Sequence, residues 1–296
     1  MELTPCRICP RRCGARRSQG QTGLCHAGAN AIVARAAPHF GEEPCISGTR
    51  GSGTIFFCGC NLGCVFCQNA AISRGAGGKT LSQAQLRACM LRLRDQGVHN
   101  INLVTPTHFA IPIRQALHGA KLDIPVIWNS SGYDSPQTLR TLGGLVQIWM
   151  PDYKYALPDV AARYCHAPDY PEAARAALRE MYQLAGPVRL DGDGLMQSGV
   201  LVRHLVLPGQ LENSLRALED IARTLPPDGI LLSLMAQYTP MPGTEAFPEL
   251  QHTVTQEQFS AVLERMEQLG FENGFYQDPD ASGTDMIPEF DLTGVS

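Results

Sequence analysis

The stretch Cys60-Asn61-Leu62-Gly63-Cys64-Val65-Phe66-Cys67 places three cysteines at the spacing C-x3-C-x2-C. Thiolates normally fill all four corners of a four-iron cluster, so this loop supplies one ligand too few. A vacant position distinguishes a catalytic metal site from a closed structural one. The loop therefore predicts a [4Fe-4S] cluster with one iron open to a small molecule; the alternatives are a structural metal knuckle or buried free thiols. Phe66 is expected to offer an aromatic face for stacking a purine ring.

A second group of thiols, Cys6, Cys9, Cys13 and Cys25, has the spacing C-x2-C-x3-C-x11-C. Four thiolates are enough to close a site, as in structural zinc sites and saturated iron–sulfur clusters. We therefore expect an auxiliary metal site here, either a second iron–sulfur cluster or zinc. Cys45 is a fifth thiol that could replace one member of the group.

Composition indicates a reducing compartment. The 296 residues include 11 cysteines, an odd number that sits partly in tight clusters, and no apolar signal segment follows Met1. This pattern favours thiolate ligands and a cytoplasmic location over a secreted disulfide framework. No apolar run reaches the roughly eighteen residues that a membrane span needs, so we expect a soluble protein.

The net charge of -4 is unevenly distributed, because residues 1–50 hold seven Lys and Arg against three Asp and Glu. Nucleic-acid binding is one interpretation of this basic segment, but no recognition helix or aromatic-rich basic strand accompanies it. We favour arginines that offset the negative charge of a thiolate-bound metal and donate to its sulfurs. The arginines concerned are Arg7, Arg11, Arg12, Arg16 and Arg17.

Six near-continuous apolar runs, separated by helical patterns, predict a parallel sheet buried on both faces. The runs are 53–57, 100–105, 124–128, 146–150, 200–207 and 230–235. Among the helix signals, Ser82 with Gln85 predicts a capping box, and Asn213 or Ser214 predicts an N-cap. Strand-then-helix repetition predicts either an open wound sheet or a curled one. Polar residues directly after the strands predict active-site loops at the carboxyl ends.

The chain resembles the radical S-adenosylmethionine superfamily, and more closely its uncharacterised branch that is similar to pyruvate formate-lyase activating enzymes. The resemblance covers nearly all of the chain and depends on matched strings that specify the family but not a substrate. These strings are 6–14 (CRICPRRCG), 43–48 (EPCISG), 51–54 (GSGT), 59–62 (GCNL), 66–69 (FCQN), 102–108 (NLVTPTH), 203–209 (RHLVLPG) and 233–238 (SLMAQY).

The resemblance implies a partial (β/α)6 TIM-like barrel over residues 49–296 with an irregular C-terminal tail from Asp278 to Ser296, preceded by a Cys-rich segment over 1–48. It also implies a [4Fe-4S] cluster on Cys60, Cys64 and Cys67 and S-adenosylmethionine at the open iron. One-electron cleavage would yield a 5′-deoxyadenosyl radical that abstracts hydrogen from a substrate. A low-potential donor such as flavodoxin or ferredoxin is the expected electron source, and a glycyl-radical-type protein is a possible substrate.

By the same resemblance, Asp152 and Lys154 contact the ribose and carboxylate of S-adenosylmethionine, and Ser130 and Ser131 add small polar contacts. Arg203 meets the methionine carboxylate. The structural alternative for Asp152 and Lys154 is a mutual salt bridge at a strand end. An arginine inside an apolar strand must in any case find an anion.

Two departures from the family pattern concern the loop after the second predicted strand and the approach to the cluster. Residues 104–108 (VTPTH) stand where many relatives place Gly-Gly-Glu, so no carboxylate is available there for the methionine ammonium group. His108 could act on substrate or be a structural histidine. Cys58 replaces the usual Ser before Gly-Cys and could compete as a ligand, although we expect a buried thiol, as for Cys89 and Cys165.

Two further classes of function compete with a radical enzyme. The first is an electron-transfer iron–sulfur protein without radical chemistry. The second is a zinc-dependent nucleic-acid binding module. Production of 5′-deoxyadenosine separates the first from a radical enzyme, and iron content separates the second.

Overall fold

The computed structural model describes residues 4–277 and 287–295. The described strands are β1 (Ala31–His39), β2 (Ser52–Phe57), β3 (Lys79–Leu81), β4 (Ile101–Val104), β5 (Val126–Ser130), β6 (Ile148–Pro151), β7 (Arg189–Leu190), β8 (Met196–Leu205), β9 (Leu231–Met235) and β10 (Gly274–Tyr276). The described helices are α1 (Pro44–Ser47), α2 (Ala70–Ser73), α3 (Gln83–Asp95), α4 (Ala110–His118), α5 (Pro136–Arg140), α6 (Pro158–Cys165), α7 (Tyr170–Ala185), α8 (Leu211–Thr224) and α9 (Gln256–Gln268).

The six predicted strands are confirmed as β2, β4, β5, β6, β8 and β9, which lie side by side in that order and are all parallel. β10 adds a parallel strand beyond β9, β1 and β3 add antiparallel strands beyond β2, and β7 pairs with β8. The sheet of the described residues is open, with β3 and β10 at its two ends. The fold is therefore mixed α/β with a large sheet, and a partial TIM-like barrel is not confirmed.

The two faces of the sheet differ in what covers them. Trp128 and Trp149 belong to the large hydrophobic cluster that contains the helix residues, whereas their neighbours Ile127 and Ile148 belong to a smaller cluster with Cys45. We call these the outer face and the inner face. Because side chains alternate along a strand, the inner face also receives polar residues from four strands. These are Asn102, Asn129, Arg203 and Ser233.

The helix termini follow the capping signals in part. The side chain of Ser82 accepts from the backbone N–H of Gln85, and Gln85 reciprocates, so the predicted capping box is confirmed. The predicted cap at Asn213 or Ser214 is wrong, because α8 begins earlier, after Gln210. The Asn213 amide instead accepts from the backbone of Ala156 and donates to the Lys154 carbonyl.

The described part of the C-terminal tail lies along β1. Leu292 donates to the Ala34 carbonyl and Ala36 donates to the Thr293 carbonyl. Of the predicted irregular tail, residues 278–286 and 296 lie outside the described residues. Within the described chain, no helix has the length and apolar character to cross a membrane.

Candidate metal centre

The three-cysteine loop begins directly after the first parallel strand. β2 ends at Phe57, and Gly59 then turns the chain with φ of 84°. A Cβ atom at Gly59 would lie 2.2 Å from the carbonyl oxygen of Cys25, so only glycine lets the loop approach the N-terminal segment this closely. The loop is thus fixed between the carboxyl end of β2 and the Cys-rich segment.

The thiols of the loop lie close to one another. Burial, together with repulsion from Cys67 and Cys64, raises the pKa of Cys60 to about 12. The backbone N–H of Leu62 donates to the Cys60 sulfur at 3.4 Å, and the N–H of Asn69 is directed at the sulfur of Cys67. Three crowded thiols are costly to ionise alone, and bound metal favours the thiolate form.

The donor set of the loop can be compared with what a single metal ion and an iron–sulfur cluster each require. Among the described residues, no three His, Cys, Asp or Glu side chains converge as ligands of one metal ion. The ligands of one zinc ion all lie about 2.3 Å from the same atom, whereas cubane thiolates bind different irons. Three adjacent thiols on one loop therefore fit a group that binds each thiolate at a different atom, as a cubane cluster does.

Cys64 has a fourth thiol as a neighbour. Its side chain interacts directly with that of Cys165, and this contact and burial raise the pKa of Cys64 well above its usual value. Cys165 is buried and its thiol donates to the Ala161 carbonyl at 3.0 Å. Sequence analysis predicted only a buried thiol, and no local signal places Cys165 beside the loop.

The ring of Phe66 is not free to stack a ligand. Phe66 is buried and packs against Tyr164 and Tyr238, with ring centroids 5.9 and 6.0 Å apart. The expected stacking on a purine is therefore wrong, because both neighbouring rings anchor Phe66 in the core. Its role here is to hold the loop against the end of α6.

Asp152 and Lys154 form the salt bridge that sequence analysis kept as the structural alternative. Lys154 Nζ lies 2.7 Å from Asp152 Oδ2. Burial opposes the charge of Lys154, but Asp152 and the nearby Cys64 and Cys67 outweigh it and raise the pKa of Lys154. The lysine therefore places a positive charge beside the thiols, where it would stabilise their ionised form.

Ser130 and Ser131 play different parts. Ser130 Oγ donates to Asp134 Oδ2 at 2.5 Å, and the buried Asp134 also accepts from Thr107. Burial raises the pKa of Asp134 despite these donors. Ser131 Oγ is buried and has no hydrogen-bond partner among the described residues. A missing partner at the end of β5 fits a ligand contact by Ser131 rather than by Ser130.

Arg203 lies on the inner face and has carboxylate partners from this chain. Its guanidinium pairs with Glu42 and Glu43, and Nε donates to Glu43 Oε1 at 2.9 Å. Asn102 donates to Glu42 at 2.8 Å. Burial acts to raise the pKa of Glu43, but Arg203 outweighs it and the pKa is lowered. A contact between Arg203 and a methionine carboxylate stays a prediction.

His108 is held as a neutral structural group. It is buried, and its Nε2 donates to the Cys58 carbonyl at 2.8 Å. Burial lowers the pKa of His108 to about 4. Cys58 is also buried, and burial raises its pKa to about 11, which fits the expected buried thiol.

The N-terminal thiols lie together, apart from Cys45. Cys6, Cys9 and Cys25 are buried and Cys13 is half-buried. Cys45 instead packs on the inner face with Ile46 and Ile127, and burial raises its pKa to about 12.

Sequence analysis missed Glu42 and Glu43 as partners of Arg203, since nothing in the local sequence shows which strand they approach.

The fold is similar to that of SuiB from Streptococcus suis, and the relationship is one of fold. A structure of SuiB bound to the precursor peptide SuiA superposes with a TM-score of 0.53 at 11% identity, covering 74% of this chain and 46% of SuiB. SuiB without that peptide gives a TM-score of 0.52 at 12% identity, covering 74% of this chain and 47% of SuiB. The chain thus spans less than half the length of these structures.

In sequence, the chain is 27% identical over 277 residues to an uncharacterized protein of Methanocaldococcus jannaschii. The match covers 90% of this chain and 75% of that protein. No protein-family model matches the chain.

Proposed function

We propose that the chain is a radical S-adenosylmethionine enzyme of the activating-enzyme-like branch. The observation that carries the proposal is the placement of Cys60, Cys64 and Cys67 at the carboxyl end of the first parallel strand, in a fold similar to that of SuiB. We also propose that the sheet curves as a partial barrel and that the protein is located in the cytoplasm. At such low sequence identity, the structural similarity to SuiB supports the fold alone. The activity is therefore inferred from the site.

In this proposal Cys60, Cys64 and Cys67 hold a [4Fe-4S] cluster, and S-adenosylmethionine binds beside it. The bound cluster would supply the electron that cleaves the sulfonium to a 5′-deoxyadenosyl radical. The Lys154 ammonium group would balance the charge of the ionised thiols, held in place by Asp152. Ser131 Oγ would gain from the cofactor the hydrogen bond that it lacks in the described chain.

The substrate we propose is a peptide or protein. SuiB has been solved with its precursor peptide, which favours a polypeptide substrate for a protein of similar fold. A glycyl-radical-type partner is the finer proposal and follows from the resemblance of the sequence. A flavodoxin- or ferredoxin-like donor is proposed as the electron source.

The test is production of 5′-deoxyadenosine from S-adenosylmethionine by the anaerobically reconstituted, reduced protein. We expect product with the wild type and a loss of at least tenfold with Cys64→Ala, because one corner of the cluster loses its ligand. Cys58→Ala is the matched control, since this thiol is buried outside the proposed ligand set, and it should retain product. Wild-type protein that contains iron but forms no more product than Cys64→Ala would refute radical chemistry and favour electron transfer.

A further inference from the structure

We propose that a second metal centre is bound by the thiolates of Cys6, Cys9, Cys13 and Cys25. This centre would hold in place the segment that the three-cysteine loop contacts. The proposal concerns thiols outside the loop and does not depend on the function proposed above. Three independent features of the described residues lead to it: donors to the sulfurs, a buried cation, and the contacts with the loop.

The first feature is a repeated placement of a backbone N–H near the sulfur, where it favours the ionised thiol. The N–H two residues after the cysteine is directed at the sulfur for Cys6, Cys9 and Cys13. The donors are Ile8, Arg11 and Ala15 respectively. Such donors favour the thiolate, which is the form that binds metal. In the loop, Cys60 and Cys67 have the same donor arrangement, whereas the buried thiol Cys58 shows no such donor in the described chain.

The sulfurs are also close to one another. A Cβ atom at Gly23 would lie 3.0 Å from the Cys13 sulfur and 3.5 Å from the Cys25 sulfur. Gly23 therefore keeps a narrow space between these two sulfurs free of side-chain atoms.

The second feature is the buried cation Arg17. This arginine is 2% exposed, and it has no carboxylate partner among the described residues. Its Nη2 donates to the Cys25 sulfur at 3.0 Å and its Nη1 to the His108 carbonyl at 2.6 Å. A buried guanidinium without an anion is costly. A metal bound by four thiolates would supply that negative charge.

The third feature is direct contact with the three-cysteine loop. Arg11 donates to the carbonyls of Asn61 and Leu62 at 3.0 and 3.1 Å. The carbonyl of Cys25 lies against Gly59 at the start of the loop. A metal that fixes Cys25 would therefore fix the surface on which the loop rests.

The described side chains do not converge on a point that one ion could occupy. Binding of either metal would therefore require the cysteine side chains to reorient. Both zinc and an iron–sulfur cluster share the thiolate chemistry, and the experiment below separates them.

The experiment uses the full chain carrying Cys60→Ala, Cys64→Ala and Cys67→Ala, purified anaerobically and analysed for iron, acid-labile sulfide and zinc. We expect about one zinc ion per chain, or about four irons with matching sulfide. Either result supports the second centre, and each identifies its metal. Adding Cys6→Ala and Cys13→Ala should lower the metal content at least tenfold, whereas adding Cys89→Ala, a buried thiol on α3, should not.

Folding is checked by circular dichroism and elution volume against the wild type. A folded triple variant with neither metal would overturn the proposal, as would metal that survives Cys6→Ala and Cys13→Ala. If the triple variant does not fold, the wild type decides. About four irons and no zinc in the wild type would overturn the proposal, while about eight irons, or four irons with one zinc, would support it.

Discussion

The pairing of Arg203 holds two carboxylates on the inner face of the sheet. One guanidinium faces two carboxylates, Glu42 and Glu43, and all three side chains are at most 13% exposed. Removing one partner of a buried ion pair is more costly than the pair is worth, because the remaining charge stays buried. Arg203 is therefore needed to accommodate Glu42 and Glu43, whatever it contacts in a ligand.

We predict that Arg203→Met lowers the free energy of unfolding by about 3 kcal/mol or more at neutral pH. The loss in free energy of unfolding caused by Arg203→Met should depend on pH. In the wild type the lowered pKa of Glu43 contributes stability that is present above its unfolded value and lost as pH falls below it. In the variant, burial acts unopposed and raises that pKa, so protonation relieves the buried charge.

Urea unfolding at pH 7.5 and 5.0 measures this effect. The deficit of Arg203→Met relative to the wild type should be smaller at pH 5.0. Arg216→Met is the matched control, because Arg216 pairs with Glu212 and Glu219 on the exposed surface of α8; its loss should be small and nearly independent of pH. An equal deficit at both pH values would contradict this account of Arg203.

His204 gives a second prediction at the scale of one residue. It is fully buried, Nδ1 donates to the Tyr153 carbonyl at 2.6 Å, and burial lowers its pKa to about 4. The folded state therefore holds the neutral ring at pH values where the unfolded state gains a proton. Stability is fully present above the unfolded value near 6.5 and is lost as pH falls towards 4, by about 1.4 kcal/mol per pH unit.

We predict that His204→Asn removes this loss while keeping an amide donor for the Tyr153 carbonyl. Urea unfolding should show a difference in stability between pH 7.5 and 5.0 that is about 2 kcal/mol smaller in the variant than in the wild type. His108 stays unchanged in both proteins and contributes its own pH dependence equally. The same pH dependence in variant and wild type would show that His204 does not titrate as described.

At the scale of elements, the three-cysteine loop depends on its junction with the Cys-rich segment. Gly59 and Gly63 both have positive φ, 84° and 71°. A Cβ atom at Gly59 would meet the Cys25 carbonyl, whereas at Gly63 it would meet nothing within 4 Å. Alanine substitutions at the two glycines therefore distinguish the cost of the left-handed backbone conformation from the cost of moving the loop away from the Cys-rich segment.

We predict that Gly63→Ala costs about 1–2 kcal/mol of stability and leaves the iron content unchanged, since only left-handed strain is added. Gly59→Ala should remove most of the iron held by the three-cysteine loop, up to about four irons per chain, because the loop must move away from Cys25. Iron per chain after anaerobic reconstitution measures both variants. Equal iron content in the two would show that the contact at Gly59 does not position the ligands.

Sequence reasoning recovered the elements whose signal is local. The six parallel strands were predicted because each is a long apolar run. The two cysteine groups were predicted because their spacings lie within short segments. β1 was missed because much of Ala31–His39 is alanine, which has weak strand preference, and β7 and β10 are only two and three residues long. The pairing of Arg203 with Glu42 and Glu43 could not be predicted, because it joins segments far apart in sequence.

The whole molecule raises the question of whether the Cys-rich segment is a separate unit. Ile8 and Cys25 belong to the same hydrophobic cluster as Trp128 in the sheet. Thr138 donates to the Ile8 carbonyl at 2.6 Å. Residues on both sides of the predicted boundary at 48–49 therefore share one core, and we expect them to unfold together.

We predict coincident unfolding of the two parts in urea, after metal has been removed with chelator. Tryptophan fluorescence reports the sheet through the buried Trp128 and Trp149, and pulse labelling with iodoacetamide reports the Cys-rich segment through Cys9. Because Cys9 is buried, its labelling requires the segment to open. Cys89 on α3 serves as the internal control, since its thiol is buried outside the Cys-rich segment. Labelling of Cys9 at clearly lower urea than that of Cys89 and the fluorescence change would contradict a shared core and identify an independently opening segment.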